Sequence, residues 1–314
     1  MKRYQRVFLL LSFILFLTVL LSPWMAWSWS LIVESHPRLE PFLYSFSRVF
    51  NRTFYILAIA FFLIFRSRLR LGSPSQWCLK PPRWHYRDFL AGFFLSLASM
   101  GALVIAMSLS DVFTPYFRLG LSTAIERCVK ALIAALSAGA LEEIMFRGIV
   151  FKGILEERRP VAAFVAANLL YAAVHFIKPH EKIVLAELDP RAGIVHLVYS
   201  FQTFLDLPNL FPGLLGLFLI GLVLSYAFLR TGSLYLSIGL HAGWIFGLKT
   251  MRIYGDFSRE DLGWLFGVSE PKIVSGVFSW IGILAVGVIV HFLTRGSPNR
   301  LYPSSATPKT SQEK

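Results

Sequence analysis

Eight stretches of this 314-residue chain are apolar over most of their length, at about 7–27, 47–65, 88–110, 124–151, 160–177, 211–229, 233–250 and 273–294. Each approaches the roughly 20 residues a helix needs to cross a bilayer. In hydrocarbon every backbone polar group must be satisfied within the segment, so such runs fold as helices. The composition agrees: 55% of residues are hydrophobic and 16% charged, with a mean hydropathy of +0.60. A soluble protein carries about 25% charged residues. An ordinary water-soluble enzyme, a disordered chain and a fibrous one are all excluded. The expected fold class is all-α: a polytopic membrane protein with about eight transmembrane helices in one bundle around a buried polar cavity.

The basic residues set an expected orientation. Lys2, Arg3 and Arg6 precede the first run, which continues into Ser22-Pro23-Trp24-Met25-Ala26-Trp27. That run has no small-x-small cleavage site and is long for a signal peptide, so it reads as an uncleaved span. The connector 66–87 holds six Lys/Arg, residues 152–159 three and residues 295–314 four, while connectors 28–41 and 111–122 hold one each, Arg38 and Arg118. Eight spans with both termini cytoplasmic, in a bacterial inner membrane, satisfy this asymmetry. The second span is the least apolar, because Arg48, Asn51 and Arg52 lie at its start. The net charge of +13 flanks apolar runs instead of forming a stripe, which argues against a nucleic-acid partner. Cys78 and Cys128 are far apart and outside any CxxC, so neither a disulfide nor a thiolate metal site is expected.

Three parts follow: residues 1–87 with two spans and a basic connector, residues 88–294 as the core, and residues 295–314 as a polar tail expected to be disordered. The connector 178–210 alternates apolar and charged residues and reads as an interfacial helix or a re-entrant piece.

Ionisable residues interrupt three of the spans. The fourth contains Glu142, Glu143 and Arg147, each costing roughly 2.5–3.5 kcal/mol near the bilayer centre. Glu143 and Arg147, four apart, share a face and can pair. Glu142 points about 100° away, which keeps its carboxylate for another task. Ala134, Ala135, Ala138 and Gly139 invite close approach of a neighbouring helix. The fifth span places Asn168, Tyr171 and His175 on one face, and the seventh carries His241. If spans four and five turn near Arg158–Pro160, Glu142 and His175 fall at one level, roughly 12 Å inside the cytoplasmic surface. His241 follows the Thr231-Gly232 turn and reaches a similar depth, about 13 Å. His291, alone in the eighth span, reads as structural.

A carboxylate and an imidazole facing one water can deprotonate it, and a second imidazole can donate to a developing oxyanion. Alternatively, Glu142, His175 and His241 can hold a divalent metal such as zinc with an open position. Both arrangements hydrolyse peptides. Two other classes compete: a scaffold in which the polar cluster merely ties helices together, and a transporter with a carboxylate proton relay. No internal repeat supports the transporter.

Glu142-Glu143-Ile-Met-Phe-Arg147 matches the EExxxR motif of the CAAX protease and bacteriocin-processing (CPBP, or Abi) family. Tyr171-Ala-Ala-Val-His175 resembles its FxxxH motif, with Tyr for Phe, and His241-Ala-Gly-Trp-Ile245 resembles its HxxxN motif, with Ile for Asn. The similarity covers about residues 90–250 and includes type II CAAX prenyl endopeptidases. The resemblance implies an intramembrane endopeptidase acting on membrane-anchored protein or peptide substrates in the lipid bilayer. It implies Glu142 as general base, His175 as its partner on the water and His241 at the oxyanion, with Glu143 and Arg147 ordering the site or the substrate's carboxyl end. No cofactor is required in a glutamate mechanism; a metalloprotease reading of the family would place a metal on Glu142, His175 and His241. Asn168, two turns before His175, is the expected substitute for the amide missing at Ile245.

Overall fold

The computed structural model describes residues 3–65, 85–117, 119–157, 159–177, 187–259, 261–267 and 273–296. Cys78, Arg118, Arg158, His180, Lys182, most of the 66–87 connector and the tail from 297 lie outside the described residues. In the remainder every expected apolar stretch is helical. The helices are α1 (Arg3–Ser35), α2 (Phe46–Phe65), α3 (His85–Leu109), α4 (Leu121–Glu143), α5 (Lys152–Leu155), α6 (Pro160–Val174), α7 (Ala192–Ser200), α8 (Leu207–Thr231), α9 (Tyr235–Met251), α10 (Gly263–Phe266) and α11 (Val277–Leu293). The protein is an all-α polytopic membrane protein.

Among the described residues four helices, α1, α2, α3 and α8, are long and apolar enough to cross a membrane individually. This is fewer than the eight spans expected. α6, α9 and α11 have 15, 17 and 17 residues. They cover roughly 22–26 Å against a hydrocarbon thickness of about 30 Å.

The chain forms two compact units, each discontinuous in sequence: Met1–Gly72 with Ala172–Phe211, and Ser73–Tyr171 with Pro212–Lys314. The first is built on α1, α2 and α7. Gly193 of α7 sits so close to α1 that a Cβ there would lie 2.0 Å from the Val19 carbonyl oxygen. His196 is buried between the rings of Phe46 and Phe50. The connector 178–210 thus contains a short helix packed on α1 and α2.

In the second unit α9 lies between α3 and α4. Its Gly239, Gly243 and Gly247 form a small-residue stripe at four-residue spacing, which lets backbones approach closely. A Cβ on Gly239 would come 2.1 Å from the Phe89 carbonyl oxygen, and one on Gly243 would come 2.0 Å from Ser96 Oγ. On the α4 side, a Cβ on Gly139 would lie 3.2 Å from the Ala242 nitrogen. Val150, Phe151, Leu155, Ala163, Ala167, Phe228, Leu234 and Ile238 close a core below the α5–α6 turn. Pro160 opens α6, where its missing N–H costs nothing.

Two features depart from a purely helical reading. Phe113–Pro115 pairs antiparallel with Gly255–Phe257, joining two connectors read as plain loops. In addition, the helix begun by α4 winds as a π-helix over Ile144–Phe151 before tightening into α5.

Candidate active site

The π-helical segment starts one residue after Glu143 and contains Arg147. Such wider turns are rare and are frequent at functional sites. Its residues from Phe146 to Phe151 are all buried, so the charged pair sits in apolar surroundings. Arg147 Nη1 donates to Glu143 Oε1 at 2.8 Å, and both side chains are 0% exposed. Arg147 Nη2 donates to the Gly221 carbonyl of α8 at 3.3 Å. The guanidinium lies over the Tyr171 ring, 4.5 Å from its centroid. The cation is therefore held by a carboxylate, a carbonyl and an aromatic face, which offsets the cost of burying it.

α9 brings His241 to the same place. Its Nδ1 lies 2.9 Å from Glu143 Oε1. A carboxylate paired with an arginine only accepts, so Nδ1 carries the hydrogen and donates it. Nε2 then points to the other side, 3.3 Å from the Tyr171 hydroxyl and 3.7 Å from Glu142 Oε2. Consecutive helical residues diverge by about 100°, and here the two carboxylates straddle one imidazole. The Glu142 carboxylate thus stays out of the Glu143–Arg147 pair and approaches His241. Glu142 is the less buried member: its side chain is 29% exposed, against 5% for His241, while Oε2, the oxygen facing His241, is buried. Two buried atoms of the cluster, Glu143 Oε2 and Arg147 Nε, have no hydrogen-bond partner among the described residues.

Asn168 is engaged by its own helix and by α8. Its amide nitrogen donates to the Phe164 carbonyl at 2.8 Å, and its carbonyl accepts from Ser225 Oγ at 2.9 Å. It packs against Gly221, where a Cβ would come 2.8 Å from Asn168 Oδ1. These hydrogen bonds occupy the carbonyl and one of the two amide N–H groups, and the Ser225 bond joins α6 to α8. Tyr171, on the same face of α6, does reach the cluster. His175 lies in the turn that follows α6, its backbone N–H bonded to the Ala172 carbonyl, within the segment Ala172–Phe211 of the first unit. His291 receives a 2.6 Å contact from the Tyr226 hydroxyl, a structural partner.

Gly221, Ser225 and the α9 glycine stripe were not singled out from the sequence. The four-residue spacings Gly221–Ser225 and Gly239–Gly243–Gly247 are the signals that reveal them.

A metal needs three protein donors around an open position. Among the described residues no three His, Cys, Asp or Glu side chains form such a group, and His241 Nδ1 is held by Glu143. No step below passes through a metal.

Fold and cluster together define a class: an all-α polytopic membrane protein in which carboxylate and imidazole side chains meet within the helices. Residues 124–247, which hold both motif carboxylates, Arg147, Tyr171, His175 and His241, match the family described as type II CAAX prenyl endopeptidase Rce1-like. The chain resembles the CAAX protease family over that segment. No curated protein and no solved structure matches the chain.

Proposed function

We propose that this protein is an intramembrane endopeptidase that cleaves membrane-anchored protein or peptide substrates near their C-termini. The observation that carries the reading is the His241 imidazole set between two carboxylates, one fully buried and ion-paired, the other partly exposed. Glu142 is the general base. Its Oε2 and His241 Nε2, 3.7 Å apart, can share a water molecule lying beside both. Glu142 takes the proton as the water attacks the scissile carbonyl. His175 is the second imidazole on that water. The Tyr171 hydroxyl is the donor nearest the developing oxyanion, and a single such donor is worth roughly 10²–10³ in kcat; His241 Nε2, unprotonated in this tautomer, accepts from the attacking water. Glu142 then returns its proton to the leaving amine.

Glu143 and Arg147 act through His241: they fix its tautomer and ring plane. The apolar helices around the cluster exclude bulk water, which strengthens each of these interactions. The same resemblance supports a substrate with a prenylated C-terminal CAAX sequence. The orientation expected from the basic flanks puts substrate entry on the cytoplasmic side.

The test uses the full chain in liposomes with a farnesylated CAAX peptide carrying a quenched fluorophore. The expected result is release of the C-terminal tripeptide, lost in Glu142→Gln and His175→Ala while both variants remain in the membrane. Wild-type cleavage by Glu142→Gln would overturn the general-base assignment.

A further inference from the structure

The first unit carries a second polar device that the proteolytic reading does not use. Trp29 near the end of α1 stacks on Tyr44, with ring centroids 6.2 Å apart and planes 7° from parallel. Its indole Nε1 donates to the Phe42 carbonyl at 2.9 Å, which pins the stack to the connector between α1 and α2. Over the Tyr44 ring lie two guanidiniums: Arg48 Cζ at 5.1 Å and Arg52 Cζ at 4.1 Å from the centroid.

Both arginines belong to the first two turns of α2, which begins at Phe46. Tyr44 precedes that helix, so the Arg52 side chain runs back along it towards its N-terminal end. This is how a long cationic side chain leaves hydrocarbon for the interface. Beyond the arginines α2 exposes Tyr55, Ile56, Ile59 and Leu63, a face fit only for acyl chains. The two cations thus stand where that apolar face ends.

Among the described residues neither arginine has a carboxylate in ion-pair reach; the aromatic ring is their shared contact. A guanidinium resting its face on a ring keeps its N–H fork for an anion, and that fork matches phosphate geometry. The ring stack fixes both forks in advance, which lowers the ordering cost of binding. Two exposed, unneutralised cations at a bilayer edge, on a rigid aromatic platform, select a negatively charged headgroup over a zwitterionic one.

We infer that Arg48 and Arg52, carried on the Tyr44–Trp29 stack, bind the phosphodiester headgroup of an anionic phospholipid at the N-terminal end of α2. The ligand is a lipid because the site borders the acyl-facing surface of α2.

The test is native mass spectrometry of the full chain, released from micelles holding equal amounts of phosphatidylglycerol and phosphatidylcholine with matched chains. The wild type retains phosphatidylglycerol preferentially. The Arg48→Gln/Arg52→Gln double variant loses that preference by about tenfold or more. Arg48→Lys/Arg52→Lys retains part of it, since charge persists without the planar fork. A circular-dichroism melt establishes that each variant is folded. If the double variant does not fold, each single Gln variant is expected to lower the preference by itself. A folded double variant with unchanged preference overturns the inference. So does displacement of the bound lipid by millimolar inorganic phosphate, which would make this a free-phosphate site.

Discussion

Glu143 Oε1 receives both the Arg147 guanidinium, at 2.8 Å, and the Nδ1 of His241, at 2.9 Å. One oxygen therefore couples the α4 helix to α9 and decides which imidazole nitrogen faces Glu142. With a neutral group in its place the imidazole loses its preferred tautomer, although the helices stay packed. With the arginine removed, a buried carboxylate is left unpaired.

These two lesions separate. Glu143→Gln keeps the shape and is expected to lower kcat by about 10²–10⁴, the range that loss of an imidazole-orienting carboxylate produces. Arg147→Met leaves Glu143 charged and buried, and it is expected to destabilise the fold by about 3–5 kcal/mol. The double variant Glu143→Gln/Arg147→Met should recover much of that stability without recovering activity. Thermal inactivation in detergent and peptide turnover, measured on the same samples, check both expectations. Equal stability of Arg147→Met and the wild type would refute the buried-pair account.

Asn168 is expected to matter for stability and not for turnover. Asn168→Leu removes the Ser225 bond and the bond to Phe164, within helices α6 and α8. Interhelical hydrogen bonds in membranes average about 0.6 kcal/mol, so a double-mutant cycle with Ser225→Ala should give a coupling of about that size. The turnover of the remaining folded enzyme should stay within about twofold, far from the roughly 10²-fold loss of an oxyanion donor. A hundredfold fall in kcat at unchanged stability would return Asn168 to the catalytic set.

Much of this architecture was legible in the sequence, for a physical reason. Apolar runs bounded by Lys/Arg specify helices directly, and charges in such runs mark the site because their cost must be answered by partners. The Glu143–Arg147 contact follows from a spacing of four. What was not legible depends on backbone detail finer than an apolar pattern records. The π-helix over Ile144–Phe151 leaves hydrophobicity unchanged while altering which side chains converge. The Phe113–Pro115 and Gly255–Phe257 pairing joins segments too short and too distant in sequence to show a strand period. For Asn168, a shared helical face says that the side chain can reach a cavity, and not that the Phe164 carbonyl and the Ser225 hydroxyl also bind it.

The glycines of α9 offer a graded check on how the site is held. Gly239→Ala would put a Cβ 2.1 Å from the backbone oxygen of Phe89, a position that cannot yield without moving α3. His241 lies two residues on, so both stability and turnover should fall, with stability losses in the 1–3 kcal/mol range of overpacked cores. Gly101→Ala, where nothing lies within 4 Å, should leave turnover unchanged and raise helix stability by up to about 1 kcal/mol. Thermal unfolding and peptide assays on both variants make the comparison. An active, stable Gly239→Ala would refute the close α3–α9 contact.

Chelation addresses the reaction type. In the proposed mechanism the groups that move protons are side chains of this chain. Turnover should therefore stay within about twofold after prolonged exposure to 1,10-phenanthroline or EDTA, the chelator being removed before assay. Abolished activity that zinc restores, with a matching zinc content by elemental analysis, would assign Glu142, His175 and His241 to a metal instead.

Sidedness is the last expectation, and the structure supplies the two positions that test it. α4, the π-helical segment and α5 run without a break through 23, 8 and 4 residues. That is roughly 50 Å, well beyond the hydrocarbon thickness of about 30 Å, so the two ends emerge on opposite faces. Glu156 is exposed just past one end, and Thr114, in the strand preceding the other end, is exposed too. The basic flanks lead us to expect the 152–159 turn in the cytoplasm, on the side where substrates are proposed to enter. In a background lacking Cys78 and Cys128, a membrane-impermeant maleimide should label Thr114→Cys in intact cells and Glu156→Cys only after permeabilisation. The reverse pattern would invert the topology and move substrate entry to the opposite face, leaving the geometry of Glu142, Glu143 and His241 untouched.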